Sequence, residues 1–137
     1  EVQRFLSAFH TENPRVKIGA LGQMDVQTLL MASALLITDF SSIQFDFAYM
    51  LKPEIYYQFD EARYWGTHHD RGYFDYRVDG FGAVVTTQEA LLTAIETALA
   101  SECAVTPEMQ KHIRDTFGAL DDHNCERNHQ AIRELMS

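Results

Sequence analysis

Residues 35–42, Leu35-Leu36-Ile37-Thr38-Asp39-Phe40-Ser41-Ser42 (LLITDFSS), set a short apolar run directly against a polar turn. A run of this kind, Leu35–Thr38, without polar alternation, is the pattern of a strand covered on both faces. Ser41 or Ser42 can cap the helix that follows, which carries Ile43, Phe45, Phe47, Ala48 and Met50 and must stop before Pro53. Glu54–Tyr57 reads as the next strand. Upstream, Asp25 is a suitable N-cap for a helix through Leu29, Leu30 and Met31 to Ala34. Val16–Ile18 is a short strand candidate with a glycine-bounded loop after it (Gly19, Gly22), and Val2–Phe9 has helical spacing that ends at Asn13-Pro14. Strand, helix, strand, helix, strand in this compass predicts parallel βαβ units.

Downstream of Tyr57 the pattern changes. Gln58–Phe81 is long, polar and aromatic, and connections of that length are usually functional or locally folded. Ala83–Val85 is another strand candidate. Thr87 opens a helix with Leu91, Leu92, Ile95 and Leu99 on its apolar face. Thr106-Pro107-Glu108 is a strong helix start, a hydroxyl cap followed by proline at the first position. Two closing helices split near Gly118–Asp122. The expectation is one α/β domain, a Rossmann-like parallel sheet with flanking helices, spanning residues 1–137.

That length suits one domain and not two of ordinary size. Apolar residues make up 46% and charged residues 23%, the balance of a folded globular chain. The chain opens on Glu1 inside helical spacing, so it is expected to be a piece of a longer protein. The formal net charge of −9 repels nucleic acid and anionic lipid, and no Lys/Arg cluster overrides it. A bound phosphate would have to be held by backbone amides, hydroxyls and a few placed cations. Cys103 and Cys125 read as reduced thiols, as in a cytosolic protein. No apolar run approaches the roughly 20 residues that span a bilayer. The chain is expected in the cytoplasm, any membrane contact being peripheral, at the inner face of the cell membrane, or lying in the missing part.

In an open parallel sheet, ligands sit at the carboxyl ends of the strands, where the following helices point their N-termini. Thr38, Asp39, Ser41 and Ser42 fall at that place. Free N–H groups and two adjacent hydroxyls make a seat for phosphate oxygens without a formal charge. A plain helix cap competes with this reading on spacing alone. No glycine-rich loop of dinucleotide or P-loop type is present. His68-His69-Asp70 invites a metal reading, but neighbours on an extended segment point apart and no second cluster stands at zinc-like spacing, so no metal is expected. His10, His112, His123 and His129 read as ordinary surface residues. Tyr56, Tyr57, Tyr64, Trp65, Tyr73, Phe74 and Tyr76 surround Arg63 and Arg71 and read either as a wall facing a base or sugar or as a lid packed on its own aromatics.

LLITDFSSIQFDFAYMLKPEIYYQFD, then RGYFDYRVDGFGAVV, then TTQEALLTAI resembles the C-terminal half of the CDP-glycerol glycerophosphotransferase family, the teichoic-acid-type polyol-phosphate polymerases and primases. DDHNCERNHQAI is similar to that family's closing segment, in which an Asp, an Asn and a Glu-Arg pair precede the last helix. The resemblance runs from about Val16 to Leu135. It implies the C-terminal, nucleotide-binding half of a GT-B glycosyltransferase-like fold. By resemblance Ser41 and Ser42 contact the phosphates of a CDP-glycerol or related CDP-polyol donor, with Thr38 and Asp39 in the same motif. Asp46, on the following helix, is a family-pattern position implied to be either structural or donor-facing, and Arg71 is an implied donor-pocket candidate. The implied chemistry is attack by a polyol hydroxyl on the β-phosphorus with CMP leaving, onto a polyol-phosphate or lipid-linked acceptor. It uses no metal or other cofactor; helix dipole and hydroxyls stabilise the leaving charge. The family's general base belongs to an upstream His-Pro motif, and His10 is followed by Thr11, so this chain is expected to bind nucleotide without turning it over. Two rivals remain: a GT-B transferase using a CMP-sugar donor, whose relatives lack the RGYFDY and DGFG blocks, and a non-catalytic nucleotide-binding module.

Overall fold

The computed structural model describes residues 11–19, 24–67 and 72–136, and the chain divides between Ser33 and Ala34 into two compact units. In the first unit Asp25 caps helix α1 (Val26–Ala32), its carboxylate accepting from the Thr28 amide at 3.2 Å and from the Thr28 hydroxyl. These bonds hold the Asp25 carboxyl below its usual pKa range. The expected strand at Val16–Ile18 does not form. Asn13-Pro14 starts a tight turn instead, closed by the Val16 amide on the Asn13 carbonyl at 3.0 Å, and Val16 and Ile18 are exposed. Three residues that find no partner strand among the described residues make no ladder. The helix expected over Val2–Phe9, and Gly22, lie outside the described residues.

The second unit carries the α/β pattern. β1 (Leu36–Thr38) leads into α2 (Ile43–Tyr49), β2 (Glu54–Tyr57), α3 (Glu61–Thr67), β3 (Gly82–Val85), α4 (Gln88–Ala100), α5 (Pro107–Phe117) and α6 (Asn124–Leu135). The sheet is parallel in the order β1-β2-β3, with Leu36 beside Glu54 and Glu54 beside Gly82. β2 is central and its first three residues are buried. β1 is not covered on both faces as its sequence suggests: Leu36 and Thr38 are half-buried while Ile37, on the opposite face, is 44% exposed. The segment after Tyr57 is locally folded, with α3 in its first half.

Gln44, Phe47 and Ala48, at i, i+3 and i+4, form the buried stripe of α2. Ala48, Phe81 and Ile113 make a core cluster against which Phe45, Phe74 and Phe117 pack. Phe45 is the hub, with ring centroids 5.3, 5.7 and 6.5 Å from those of Phe74, Phe81 and Phe117, all edge-on as aromatic quadrupoles prefer. Gly82 is required where it stands, since a Cβ there would lie 1.8 Å from the Glu54 carbonyl oxygen across the β2–β3 ladder. α4 presents Leu91, Ala94, Ile95 and Ala98 as its sheltered side, while Leu92 and Leu99 of the expected apolar face point outward. Small alanines let the helix lie close to the sheet, so the larger leucines are not needed on that side.

The caps follow the sequence closely. Thr87 Oγ1 accepts from the Ala90 amide and Thr106 Oγ1 from the Met109 amide, each at 3.2 Å, with Pro107 at the first helical position. Thr106→Ala should lower stability by about 1 kcal/mol by leaving the Met109 N–H without its side-chain partner. Urea unfolding of both chains measures this, and equal midpoints would show that water serves that amide as well.

Candidate functional site

The carboxyl end of β1 delivers Thr38 to the turn Asp39–Ser42, which enters α2 directly. Ser42 stands at the N-cap position, yet its backbone is already helical (φ −66°, ψ −13°) and its side chain makes no capping bond. Ser41 Oγ accepts from the Ile43 amide at a long 3.4 Å. The cap expected of one of these serines is therefore weak, because a residue already in the helical region cannot swing its hydroxyl back over the first turn. Ser42 is exposed and Ser41 half-buried. Asp39 is exposed, and its backbone carbonyl accepts from Gln58 Nε2 at 3.4 Å. Asp46 lies exposed in the first turn of α2. Thr38, Asp39, Ser41 and Ser42 thus gather at one sheet end, with Asp46 one turn further along the helix. Arg71, His68, His69, Asp70 and His10 lie outside the described residues.

Phe40 fixes what stands next to that turn. Its ring stacks on Tyr64 of α3 at 3.9 Å with planes 7° apart, and meets Trp65 and Tyr76 edge-on at 5.5 and 5.7 Å. Tyr76 also meets Tyr56 edge-on at 5.0 Å. Tyr64, Trp65 and Tyr76 therefore pack on the turn residue between Asp39 and Ser41, whereas Tyr73 is 97% exposed. Burial, chiefly, pushes the Tyr76 hydroxyl above its usual pKa, against a hydrogen bond from Gln44.

Beside this cage lies a pocket of about 70 Å³ lined by Gln58, Glu61, Trp65, Asp75, Tyr76 and Arg77 among others. Residues 75–79 close on themselves: Asp75 Oδ1 accepts from the Arg77 amide at 2.8 Å, and the Asp75 amide donates to Asp79 Oδ2 at 2.8 Å. The turn aims Arg77 at Glu61, and the guanidinium donates to both carboxylate oxygens at 3.1 and 2.9 Å. Gln58, Glu61 and Arg77 were not among the residues singled out from sequence. Arg77 closes the RGYFDYR block, and only the fold brings it to Glu61, 16 positions earlier.

The closing segment forms a second polar assembly. Arg127 donates to both Asp121 oxygens at 3.1 and 2.8 Å and to Asn124 Oδ1 at 2.7 Å. The bonds from Arg127, with one from the His123 amide, hold the Asp121 carboxyl down to about 2. Asn124 Nδ2 donates to the Tyr49 hydroxyl at 3.2 Å, which in turn donates to the Asp121 carbonyl at 2.7 Å. The segment therefore anchors α6 to the last residue of α2. His123 Nδ1 stands 3.1 Å from Glu126, and His112 Nδ1 is 3.3 Å from the Gly80 carbonyl, a structural contact. Cys103 and Cys125 are free thiols. Among the described residues no group of three or more His, Cys, Asp or Glu side chains is arranged to hold a metal ion. Among them, too, no helix is long and apolar enough to cross a membrane.

Comparison with known proteins agrees with the resemblance. The family described as CDP-glycerol:poly(glycerophosphate) glycerophosphotransferase matches residues 10–132. The chain is 35% identical over 109 residues to the minor teichoic acid biosynthesis protein GgaB of Bacillus subtilis (strain 168), covering 80% of this chain and 12% of that protein. It is 36% identical over 72 residues to the teichoic acid glycerol-phosphate transferase of Staphylococcus aureus (strain NCTC 8325 / PS 47), covering 53% and 18%. It is 40% identical over 75 residues to the teichoic acid poly(glycerol phosphate) polymerase of Bacillus subtilis (strain 168), covering 53% and 10%. The chain thus spans less than a fifth of the length of each of these relatives. No solved structure matches it.

Proposed function

The chain belongs to the CDP-glycerol:poly(glycerophosphate) glycerophosphotransferase family, and from that premise we propose that it is the donor-binding part of such a transferase, with the turn Thr38–Ser42 receiving the diphosphate of a CDP-polyol. The observation that carries this reading is the pair of serines at the carboxyl end of β1: Ser42 is exposed and makes no capping bond. A hydroxyl left out of the cap can donate to a phosphate oxygen, together with the first amides of α2. Asp46, one turn on, is the acidic neighbour that would face the donor's neutral part, since it would repel the diphosphate. Arg71 is a further proposed contact.

In the complete enzyme, the reaction we propose is attack by a hydroxyl of the growing polyol phosphate on the β-phosphorus of the donor. The P–O bond to the CMP phosphate breaks, CMP leaves with the electron pair, and the hydroxyl proton passes to a base outside this chain. Residues 1–137 would then form the donor domain of a two-domain GT-B-like fold. This domain would act at the inner membrane face, where a lipid-linked acceptor is presented. The hydroxyls and amides of the turn would stabilise the charge that develops on the phosphate of the leaving CMP, without a metal.

Calorimetric titration with CDP in the presence of EDTA tests the assignment. Binding should persist without divalent metal. Ser42→Ala should weaken it about tenfold, the usual loss for one hydrogen bond to a charged group, and Ser41→Ala combined with Ser42→Ala should weaken it further. Equal affinity in the doubly substituted chain would remove the turn from the donor site.

A further inference from the structure

The structure sets one aromatic apart from the rest of its segment. Tyr57 meets Phe59, Tyr64 and Trp65 meet Phe40, and Phe74 and Tyr76 meet each other. Tyr73 alone in that segment has no ring partner among the described residues, and it is 97% exposed. Both faces of its ring are therefore open to a further aromatic group.

The neighbours of Tyr73 fix where that ring stands. Phe74 packs inward, its ring 5.3 Å from that of Phe45 in the first turn of α2, and the Phe45 amide donates to the Ser42 carbonyl at 3.0 Å. Tyr76 meets Phe40 edge-on at 5.7 Å, within the turn Asp39–Ser42. Gly72 and Phe74 also line the 70 Å³ pocket that contains Gln58, whose Nε2 holds the Asp39 carbonyl. Residues 72–76 thus run past the carboxyl end of β1 and the start of α2, and Tyr73 is the member of that run whose ring stands in solvent.

We infer that Tyr73 is the stacking platform for the nucleobase of the donor, beside the turn that receives its diphosphate. The inference rests on the reading of Thr38–Ser42 as that seat. A nucleoside diphosphate carries one aromatic group, its base, joined to the phosphates through the ribose. A diphosphate held at Ser42 therefore keeps the base within a nucleoside's length of the turn. The base is neutral, which suits a chain of net charge −9, since stacking needs no cation. Nor does it need a closed cavity: an open ring face is what a base lies on.

Calorimetry on the full chain with CDP and with inorganic pyrophosphate, which has charge and no base, tests this. Tyr73→Ala should weaken CDP roughly tenfold and leave pyrophosphate unchanged, while Tyr73→Phe should bind CDP as the unsubstituted chain does. In Tyr73→Trp the added indole fluorescence, measured against Trp65 in the unsubstituted chain, should be quenched by CDP and not by pyrophosphate. That quench decides if pyrophosphate binds too weakly to titrate. Because the ring is in solvent, Tyr73→Ala should unfold in urea at the same midpoint as the unsubstituted chain. A lowered midpoint, an equal loss for both ligands or an unchanged CDP affinity overturns the inference. Ser41→Ala with Ser42→Ala should weaken both ligands alike. If it weakens neither, the phosphate seat is wrong, and the effect of Tyr73→Ala on CDP still decides the platform. Failure of the chain to bind CDP overturns both.

Discussion

Phe81→Ala should lower the unfolding free energy by about 3–5 kcal/mol, the range for a buried aromatic truncated in a packed core. Phe81 is 1% exposed and its ring lies 5.7 Å from Phe45, 5.9 Å from Phe74 and 5.9 Å from Phe117. Three rings from three segments, α2, the turn before β3 and α5, lose their common partner together. Rigid rings cannot collapse into the space as leucines could, so the void persists. The backbone N–H of residue 81, which donates to the Tyr56 hydroxyl at 3.0 Å, survives the substitution, so the loss reports packing alone. Urea unfolding followed by far-UV circular dichroism measures it. A shift below about 1 kcal/mol would mean that the aromatic cluster is not the core.

Glu54→Gln should stabilise the chain above neutral pH and flatten its pH profile. Glu54 is 3% exposed on the central strand. Its Oε1 accepts from the Tyr56 hydroxyl at 3.0 Å, while Oε2 has no partner. Burial pushes its carboxyl up from 4.5 to about 8, only partly offset by the Tyr56 bond. Below pH 4.5 the group is neutral folded and unfolded alike, and no stability is at stake. Between 4.5 and about 8 the unfolded chain releases the proton that the folded chain keeps, so stability falls as pH rises, by up to about 1.4 kcal/mol per pH unit. Above pH 8 both states are ionised and the loss is complete. Glutamine keeps an acceptor for Tyr56 and has no proton to lose, so at pH 8 the variant should gain about 4 kcal/mol over the parent. The gain should vanish near pH 4. Asp121 acts oppositely: its stability is present above its ordinary range and lost as pH falls toward 2, and it is common to both chains. Thermal unfolding from pH 4 to 9 gives the difference curve, and parallel profiles would refute the buried neutral acid.

What could be read from the residues was what local chemistry decides. Thr87, Thr106-Pro107 and Asp25 each declare a helix start by a hydroxyl or carboxylate able to reach an amide three positions on, and all three caps are present. The run Leu35–Thr38 and the run Glu54–Tyr57 declared strands, the first beginning one residue later at Leu36, and their pairing is parallel. What failed depended on partners that a linear reading does not contain. Val16–Ile18 has the composition of a strand, but a strand needs a neighbour. Leu92 and Leu99 satisfy helical spacing, yet the sheltered side of α4 is set by the alanines that let it approach the sheet. Ser42 looked like a cap, and its helical backbone denies it that role. At the candidate site, the serines, Thr38 and Asp39 were legible because they are contiguous. The Gln58–Glu61–Arg77 grouping was not, since its members join only when α3 and the turn 75–79 are folded against each other.

The position of β1 at the outside of the sheet has a consequence for how copies of this chain behave toward one another. Among the described residues no strand pairs with β1 on the side away from β2, so its N–H and C=O groups there form a row that another extended segment can zip onto, with the 44% exposed Ile37 as an apolar foothold. At three residues the row is short, which blunts the hazard without removing it. The net charge of −9 supplies the remaining protection by mutual repulsion. That repulsion reaches about 30 Å at 0.01 M salt and about 8 Å at 0.15 M. Colloidal stability should therefore be best in dilute buffer and decline as electrolyte is added, the reverse of proteins that salt keeps in solution.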